Sequence, residues 1–87
     1  MIAAFHRRFR KRYEKLPRQT QKAFEERLEL FLINPHAREL ENHKLNPPWE
    51  GCWSINVTGD IRAIYEPQQK NRVLFLRIGS HAELYGK

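Results

Sequence analysis

Residues Val73–Tyr85 read VLFLRIGSHAELY, an apolar run that passes through a glycine into a short polar tail. The side chains of Val73–Ile78 are β-branched or large and apolar, with a single arginine among them, which predicts a buried strand. We expect Gly79 to break this strand. His81 and Tyr85 then follow at the end of a sheet, where a loop and polar side chains can form a cleft.

Length and composition limit the classes of protein to which the chain can belong. Its 87 residues predict a single domain over residues 1–87, because a chain of this size buries only about 60 to 65% of its unfolded surface. No apolar run approaches the roughly 18 residues of a membrane helix, so we expect no membrane partner and a cytoplasmic location. The single Cys52 excludes an internal disulfide and a CxxC zinc site, and we expect neither metal nor cofactor.

The positive charge is concentrated at the beginning of the chain. The net charge is +6, yet residues 1–22 hold eight basic side chains and one acidic side chain, and the rest of the chain is close to neutral. A solvated helix face is the commoner explanation of a run of charges, but an excess of this size favours a polyanionic partner. We therefore expect the basic face of the first helix to bind a polyanion.

Two amphipathic helices are predicted before residue 36. Apolar residues recur at spacings of three and four in both, with Pro17 ending the first helix, Gln19 or Thr20 starting the second, and Asn34 followed by Pro35 ending it. The apolar stripes are Ile2, Phe5, Phe9, Tyr13 and Leu16 in the first helix and Ala23, Phe24, Leu28, Phe31 and Leu32 in the second. Each stripe is too wide to remain exposed, so the helix hairpin should cover a sheet.

The period changes to two after an irregular connection at residues 36–50. Alternation from Trp53 to Val57 predicts a strand, and Thr58–Asp60 is the turn that follows. A three-residue loop pairs apolar with apolar and polar with polar side chains, whereas a two-residue loop does not. The predicted pairs are Val57 with Ile61, Asn56 with Arg62, Ile55 with Ala63 and Trp53 with Tyr65.

A polar turn at Glu66–Asn71 should return the chain into the last strand and complete an antiparallel meander. Alternation then predicts that Leu74, Leu76 and Ile78 face the helices. Arg77 would lie on the other face, which also carries Ser54, Asn56 and Arg62 and is therefore polar and cationic. The predicted fold class is α+β, an N-terminal helix hairpin packed on a three- to four-stranded antiparallel sheet.

Four segments of the chain resemble the RelE/ParE superfamily of toxins from type II toxin–antitoxin pairs, and within it the YafQ-like mRNA interferases. The segments are YEKLP at the end of the first helix, His43–Leu45 followed by Trp49–Gly51, the strand–turn–strand WSINVTGDIRAIY, and the terminal GSHAELY. Each segment alone is weak, but all four occur in the expected order and spacing. The resemblance implies a fold related to microbial ribonucleases, cleavage of messenger RNA on the ribosome, and a co-encoded acidic antitoxin.

The resemblance also implies which residues act. It assigns catalytic roles to His43, Asp60, Arg62, His81 and Tyr85. Either histidine can give or take a proton near neutrality, the arginine can bind a phosphate, and the tyrosine can stack on a base. Which histidine is the acid and which is the base stays open. Further RNA contacts are expected from Arg8, Lys11, Lys15, Lys44, Asn56 and Arg77.

Two departures from the family pattern leave other functions open. Asn56 stands where the YafQ-like proteins carry another catalytic histidine, so one acid–base group is missing or its role is reassigned. Few residues precede Phe5, so the first edge strand should be short or missing. The alternatives are a ParE-like inhibitor of DNA gyrase and a ribosome- or RNA-binding homologue with weakened catalysis. Two histidines near one arginine favour the enzyme.

Overall fold

The computed structural model describes residues 1–86, in which two helices pack against one sheet. The strands are β1 Ile2–Phe5, β2 His43–Lys44, β3 Trp53–Asn56, β4 Ile61–Gln68 and β5 Arg72–Ser80. The helices are α1 Arg7–Glu14, α2 Arg18–Ile33 and α3 His81–Tyr85, with a 3-10 turn at Arg38–Leu40. Across the sheet the order is β1-β5-β4-β3-β2, antiparallel except for β1 beside β5. Within residues 1–86, no helix is long and apolar enough to cross a membrane.

The predicted α+β class is confirmed, and the sheet has five strands where three or four were expected. The two strands outside the predicted meander, β1 and β2, are short and lie at the edges. β1 runs parallel to β5, with Ile2 opposite Arg72 and Phe5 opposite Phe75. This is the shortened edge strand that the sequence predicted, four residues long. β2 formed within the connection that had no regular period.

Helix α1 begins later than its apolar pattern predicted. His6 precedes it in an extended conformation, and the His6 Nδ1 accepts a hydrogen bond from the Arg8 backbone N–H at 3.0 Å, so this histidine caps the helix. Ile2 and Phe5 consequently belong to β1, and their assignment to the first helix was wrong. Phe5 still contributes to the core, because its ring stacks on that of Phe75 at 5.7 Å.

Aromatic side chains form the core between the helices and the sheet. Phe75 is fully buried, and its ring centroid lies 5.5 to 5.8 Å from those of Phe5, Phe9, Phe24, Phe31 and Tyr65. Aromatic pairs at such distances add to the free energy gained by burial alone. Helix α2 starts one or two residues earlier than predicted, at Arg18. Leu32 is 39% exposed because its neighbour Phe31 takes the core-facing position.

The pairing of β3 with β4 follows the predicted register. Trp53 lies opposite Tyr65, Ile55 opposite Ala63, and Asn56 opposite Arg62. The Val57 backbone N–H donates to the Ile61 carbonyl at 2.9 Å, which closes the three-residue turn. Strand β4 is longer than expected, because Glu66–Gln68 continue the ladder before the chain reverses. The polar turn is therefore confined to residues 69–71.

A bulge interrupts the pairing of β4 with β5. Tyr65 lies opposite Phe75 and the preceding Ile64 lies opposite Arg77, so Leu76 has no partner across the pair. An extra residue of this kind reverses the alternation of side chains beyond it. The sequence contains no signal that marks its position.

The bulge changes which side chains of β5 face the helices. Val73 and Ile78 belong to the helix-side core, as does the phenylalanine between them, whereas Leu74 and Leu76 are half-buried outside it. The prediction that these two leucines face the helices was wrong, because simple alternation does not hold across the bulge. The predictions for Ile78 and for Arg77, which lies on the opposite face, are confirmed.

Candidate active site

A cleft of about 430 Å³ lies where β2, β4 and α3 approach one another. Ten described residues line it: His43, Lys44, Leu45, Asn46, Pro47, Pro48, Trp49, Arg62, His81 and Tyr85. They include two permanent cations and two histidines, and none of the ten carries a carboxylate. A cleft of this composition favours an anionic ligand.

His43 is the first residue of β2 and lies opposite Ser54 in the sheet. The His43 Nδ1 is 2.8 Å from the Glu41 carbonyl oxygen. A carbonyl oxygen can only accept a hydrogen bond, so Nδ1 must carry the proton. In the neutral ring the lone pair therefore lies on Nε2, which can accept a proton from a ligand. Glu41 ends the 3-10 turn in a left-handed conformation with φ of 47°.

Two acceptors hold the side chain of Arg62. Its Nη1 donates to the Asn56 Oδ1, directly across the β3–β4 pair, and to the Thr58 carbonyl oxygen at 3.3 Å. Both acceptors are neutral, so the charge of the guanidinium remains available to a ligand in the cleft. Asn56 does not line the cleft and acts through Arg62.

Helix α3 begins directly at the end of β5. The prediction that Gly79 breaks the strand was wrong, because β5 continues through Ser80 and α3 starts at His81. The Ser80 Oγ accepts from the Glu83 backbone N–H at 3.1 Å, and the Glu83 Oε1 accepts from the Ser80 N–H at 2.8 Å. This reciprocal cap ends the strand and starts the helix. The His81 backbone N–H also donates to the Asp60 carbonyl oxygen at 3.2 Å.

Successive turns of α3 present His81 and Tyr85 to the cleft. Their ring centroids are 4.6 Å apart with an interplanar angle of 59°. A spacing of four residues places both side chains on one face of the helix. The pair therefore forms one wall of the cleft, which His43 and the segment that follows it also line.

Trp49 connects this wall to the loop after β2. Its Nε1 donates to the Leu84 carbonyl oxygen at 3.2 Å, and the Arg77 guanidinium lies 5.9 Å from the centroid of its ring. Burial lowers the pKa of Arg77, and the charge of Arg8 nearby lowers it further.

Comparison with known proteins identifies the family. Residues 3–85 match the family model described as ParE toxin of type II toxin–antitoxin system, parDE. The chain belongs to this toxin family. No curated protein sequence matches it.

Solved toxin structures share the fold. YafQ from E. coli is 25% identical with a TM-score of 0.71, and the alignment covers 97% of each chain. A YoeB/ParE toxin from Agrobacterium tumefaciens is 16% identical with a TM-score of 0.78, over 93% of this chain and 99% of the other. RelE in the archaeal RelE–RelB complex from Pyrococcus horikoshii is 22% identical with a TM-score of 0.71, over 91% and 92%. The resemblance to the RelE/ParE superfamily is confirmed.

The fold of the toxin brings together most of the residues that the resemblance assigned to catalysis. His43, Arg62, His81 and Tyr85 all line the cleft, together with the RNA-binding candidate Lys44. Asp60 lies in the exposed turn before β4, and its side chain is not among those that line the cleft. It contributes through its backbone carbonyl, which anchors the first residue of α3.

The remaining RNA-binding candidates lie outside the cleft. Asn56 contacts Arg62, and Arg77 lies near the ring of Trp49. Arg8 and Lys11 are exposed on α1, and Lys15 is exposed directly after it. Sequence reasoning missed the contribution of residues 45–48, next to Trp49, to the lining of the cleft. The clustered prolines beside that tryptophan were the available signal, since they restrict a loop that could otherwise move.

Proposed function

We propose that this toxin is a cytoplasmic endoribonuclease that cleaves messenger RNA on the ribosome by acid–base chemistry. The observation that carries the proposal is the convergence of His43, Arg62 and His81 in one cleft without a lining carboxylate. Ribonuclease chemistry that uses the ribose 2′-hydroxyl needs a base, a cation beside the phosphate and an acid. The cleft offers one side chain for each of these tasks.

In the proposed reaction, His43 is the base and His81 is the acid. The Nε2 of His43 takes the proton from the 2′-hydroxyl, and the oxygen forms a bond to the adjacent phosphorus. The bond from phosphorus to the 5′-oxygen breaks, and His81 gives a proton to that oxygen. The products carry a 2′,3′-cyclic phosphate and a 5′-hydroxyl. The hydrogen bond from Nδ1 of His43 to the backbone supports this assignment, because it leaves Nε2 as the basic nitrogen.

Charge in the cleft would stabilise the transition state. Arg62 can form two parallel hydrogen bonds to a phosphate and keeps its charge at all physiological pH values. Lys44 adds a second cation at the mouth of the cleft, where it is exposed. Tyr85 and Trp49 offer aromatic faces on which a nucleobase can stack. Asp60 has no proposed contact with RNA; it would act by holding α3.

Binding to the ribosome would extend beyond the cleft. The exposed cations Arg8 and Lys11 of α1, with Lys15 at its C-terminal end, present a positive surface, and Arg77 adds charge beside Trp49. Phosphate contacts dominate the affinity of proteins for nucleic acids. We propose that this surface contacts ribosomal RNA while the cleft holds the messenger.

A cognate antitoxin of acidic character is the proposed protein partner. The net charge of +6 favours rapid association with a protein of opposite charge. The structural relatives include toxins solved with a second protein, among them RelE in the RelE–RelB complex. The corresponding partner for this chain would cover the cationic cleft and prevent access to RNA.

Inhibition of DNA gyrase is the alternative, since the family model carries the ParE name. The test adds the purified chain to a reconstituted translation system and maps the 5′ ends of the messenger, with a ribosome-free reaction as control. The proposal is supported if the messenger is cut at codons, if the cutting requires ribosomes, and if the fragments carry 5′-hydroxyl ends. Intact messenger together with lost gyrase supercoiling activity would favour the inhibitor, and neither effect would favour a binding module.

A further inference from the structure

We propose that Arg12 and Glu83 form a positioning pair that holds α3 in place, so that His81 and Tyr85 stay in the cleft; this inference rests on the proposed ribonuclease activity. The Arg12 Nη2 lies 2.7 Å from the Glu83 Oε2. It is the only ion pair among residues 1–86. Seventy-one positions separate the two residues, so the contact joins the first helix of the chain to the last.

The two oxygens of the Glu83 carboxylate have separate tasks. Oε1 accepts the Ser80 backbone N–H at 2.8 Å and completes the cap of α3, while Oε2 accepts from Arg12. The Ser80 N–H lowers the pKa of Glu83, and the Arg12 guanidinium lowers it further. One side chain therefore both starts α3 and ties it to α1.

The sequence immediately before α3 leaves room for this carboxylate. A Cβ on Gly79 would lie 2.8 Å from the Glu83 Oε1, closer than such atoms approach. Any other residue at position 79 would require the Glu83 carboxylate to shift from its observed position. The role of Gly79 is thus to admit Glu83 rather than to break β5.

Helix α3 needs such contacts because it has little stability of its own. It contains five residues, none of them buried, and isolated helices of this length do not persist in water. Apart from its cap, it is held by Arg12, by the Trp49 indole at the Leu84 carbonyl and by the Asp60 carbonyl at the His81 N–H. Of these three contacts, the one with Arg12 is the only charged one.

The pairing gives Arg12 a role different from that of the other cations on α1. Its charge is opposed by Glu83, whereas Arg8, Lys11 and Lys15 remain available to RNA. Removal of Arg12 should therefore slow the cleavage step more than it weakens ribosome binding. A residue that served only as a phosphate contact would show the opposite pattern.

The test compares Arg12→Gln with Arg7→Gln, which removes the same charge from an exposed position on the same helix. Glu83→Gln is the partner variant, because glutamine can still accept the Ser80 N–H in the cap but lacks the negative charge that pairs with Arg12. The first measurement is hydrogen exchange at the Gly86 amide, which donates to the Ala82 carbonyl at 2.9 Å and closes α3.

We expect exchange at Gly86 to become roughly two- to fivefold faster in Arg12→Gln and in Glu83→Gln, the range given by an exposed ion pair. It should stay at the parental rate in Arg7→Gln. The double variant should exchange no faster than either single one, because both remove the same contact. Arg12→Lys should restore part of the protection at low salt, where the attraction is least screened.

The second measurement compares the single-turnover cleavage rate with the affinity for ribosomes in each variant. Arg12→Gln should cleave more slowly than Arg7→Gln, by no more than the factor by which its exchange at Gly86 is faster. The two variants should bind ribosomes with equal affinity. Arg12→Glu should have a larger effect than Arg7→Glu, since it adds repulsion to the loss of the pair.

Unchanged exchange at Gly86 in Arg12→Gln would overturn the inference, whatever the toxin cleaves. If exchange at Gly86 is faster in Arg12→Gln but this variant cleaves as fast as the Arg7→Gln control, the positioning role is overturned. A parent chain that cleaves no messenger would instead refute the proposed function, and the exchange data alone would still establish whether the pair holds α3.

Discussion

Substitution of His43 by asparagine tests the assignment of the catalytic base. The amide nitrogen of asparagine takes the position of Nδ1 and can still donate to the Glu41 carbonyl, which is 2.8 Å from that nitrogen. Nothing replaces Nε2, the nitrogen proposed to accept the 2′-hydroxyl proton. The variant thus keeps the hydrogen bond to Glu41 and removes only the proposed proton acceptor.

The structure sets the expected magnitude. His43 is exposed and its backbone bonds to β3 are unaffected, so the free energy of unfolding should change by less than about 0.5 kcal/mol. Loss of a proton-transfer group typically slows a reaction by roughly 10² to 10⁴, equivalent to about 2.7 to 5.4 kcal/mol in the activation free energy. Arg62 and the basic residues of α1 remain, so ribosome affinity should stay near that of the parent.

The assay is single-turnover cleavage of a ribosome-bound messenger as a function of pH. In the parent, the rate should fall on the acid side as the base becomes protonated, and this acid limb should disappear in His43→Asn together with the rate. His81→Ala is the comparison, because loss of the proposed acid should remove the alkaline limb instead. A folded His43→Asn variant that cleaves at the parental rate with the acid limb intact would refute the assignment, and the base would have to be sought elsewhere in the cleft, first at His81.

Three further predictions concern stability and binding. Phe75→Ala should lower the free energy of unfolding by about 3 to 5 kcal/mol in a urea titration, more than alanine at either neighbouring leucine, because five aromatic rings surround this side chain. Burial and a hydrogen bond to a glutamate raise the pKa of Tyr13 from 10.0 to about 12. The neutral tyrosine therefore stabilises the fold fully below pH 10, and this stabilisation is lost as the pH rises towards 12. In thermal melts at alkaline pH, Tyr13→Phe should not show this loss of stability. Joint replacement of Arg8, Lys11 and Lys15 by glutamine should weaken ribosome binding and flatten its salt dependence. A variant that binds ribosomes as tightly as the parent at both a low and a high salt concentration would contradict the RNA-contact role.

The parts of the fold that could be predicted are those in which local pattern and global packing agree. Alternation from Trp53 onward, together with the length of the turn, predicted the β3–β4 register, because a shift by one residue would expose every apolar side chain of the strand. The same register correctly predicted that Asn56 lies opposite Arg62. The clustering of His81, Tyr85 and Arg62 also followed, since the end of β5 must meet the start of β4.

The errors arose where a tertiary contact overrides a local pattern. The bulge at Leu76 reverses which side chains of β5 face the helices, and no local sequence signal marks it. Strand β2 is only two residues long, so it is too short to show an alternating pattern. Ile2 and Phe5 fit a helical stripe as well as they fit a strand. His6 resolves the ambiguity by capping the helix, and a histidine is an uncommon residue for that position.

Asn56, where the chain departs from the family pattern, serves its neighbour Arg62 in the proposed mechanism. The register places this residue opposite Arg62, and its amide oxygen accepts from the guanidinium. A protonated histidine at the same position would repel Arg62, and a carboxylate would neutralise it, so a neutral acceptor is the side chain that orients the arginine and preserves its charge. The proposed acid–base pair is already complete with His43 and His81 in the cleft. An asparagine at position 56 is therefore compatible with the proposed catalysis, since the group that it supports is Arg62, the proposed phosphate-binding cation, and not a proton carrier.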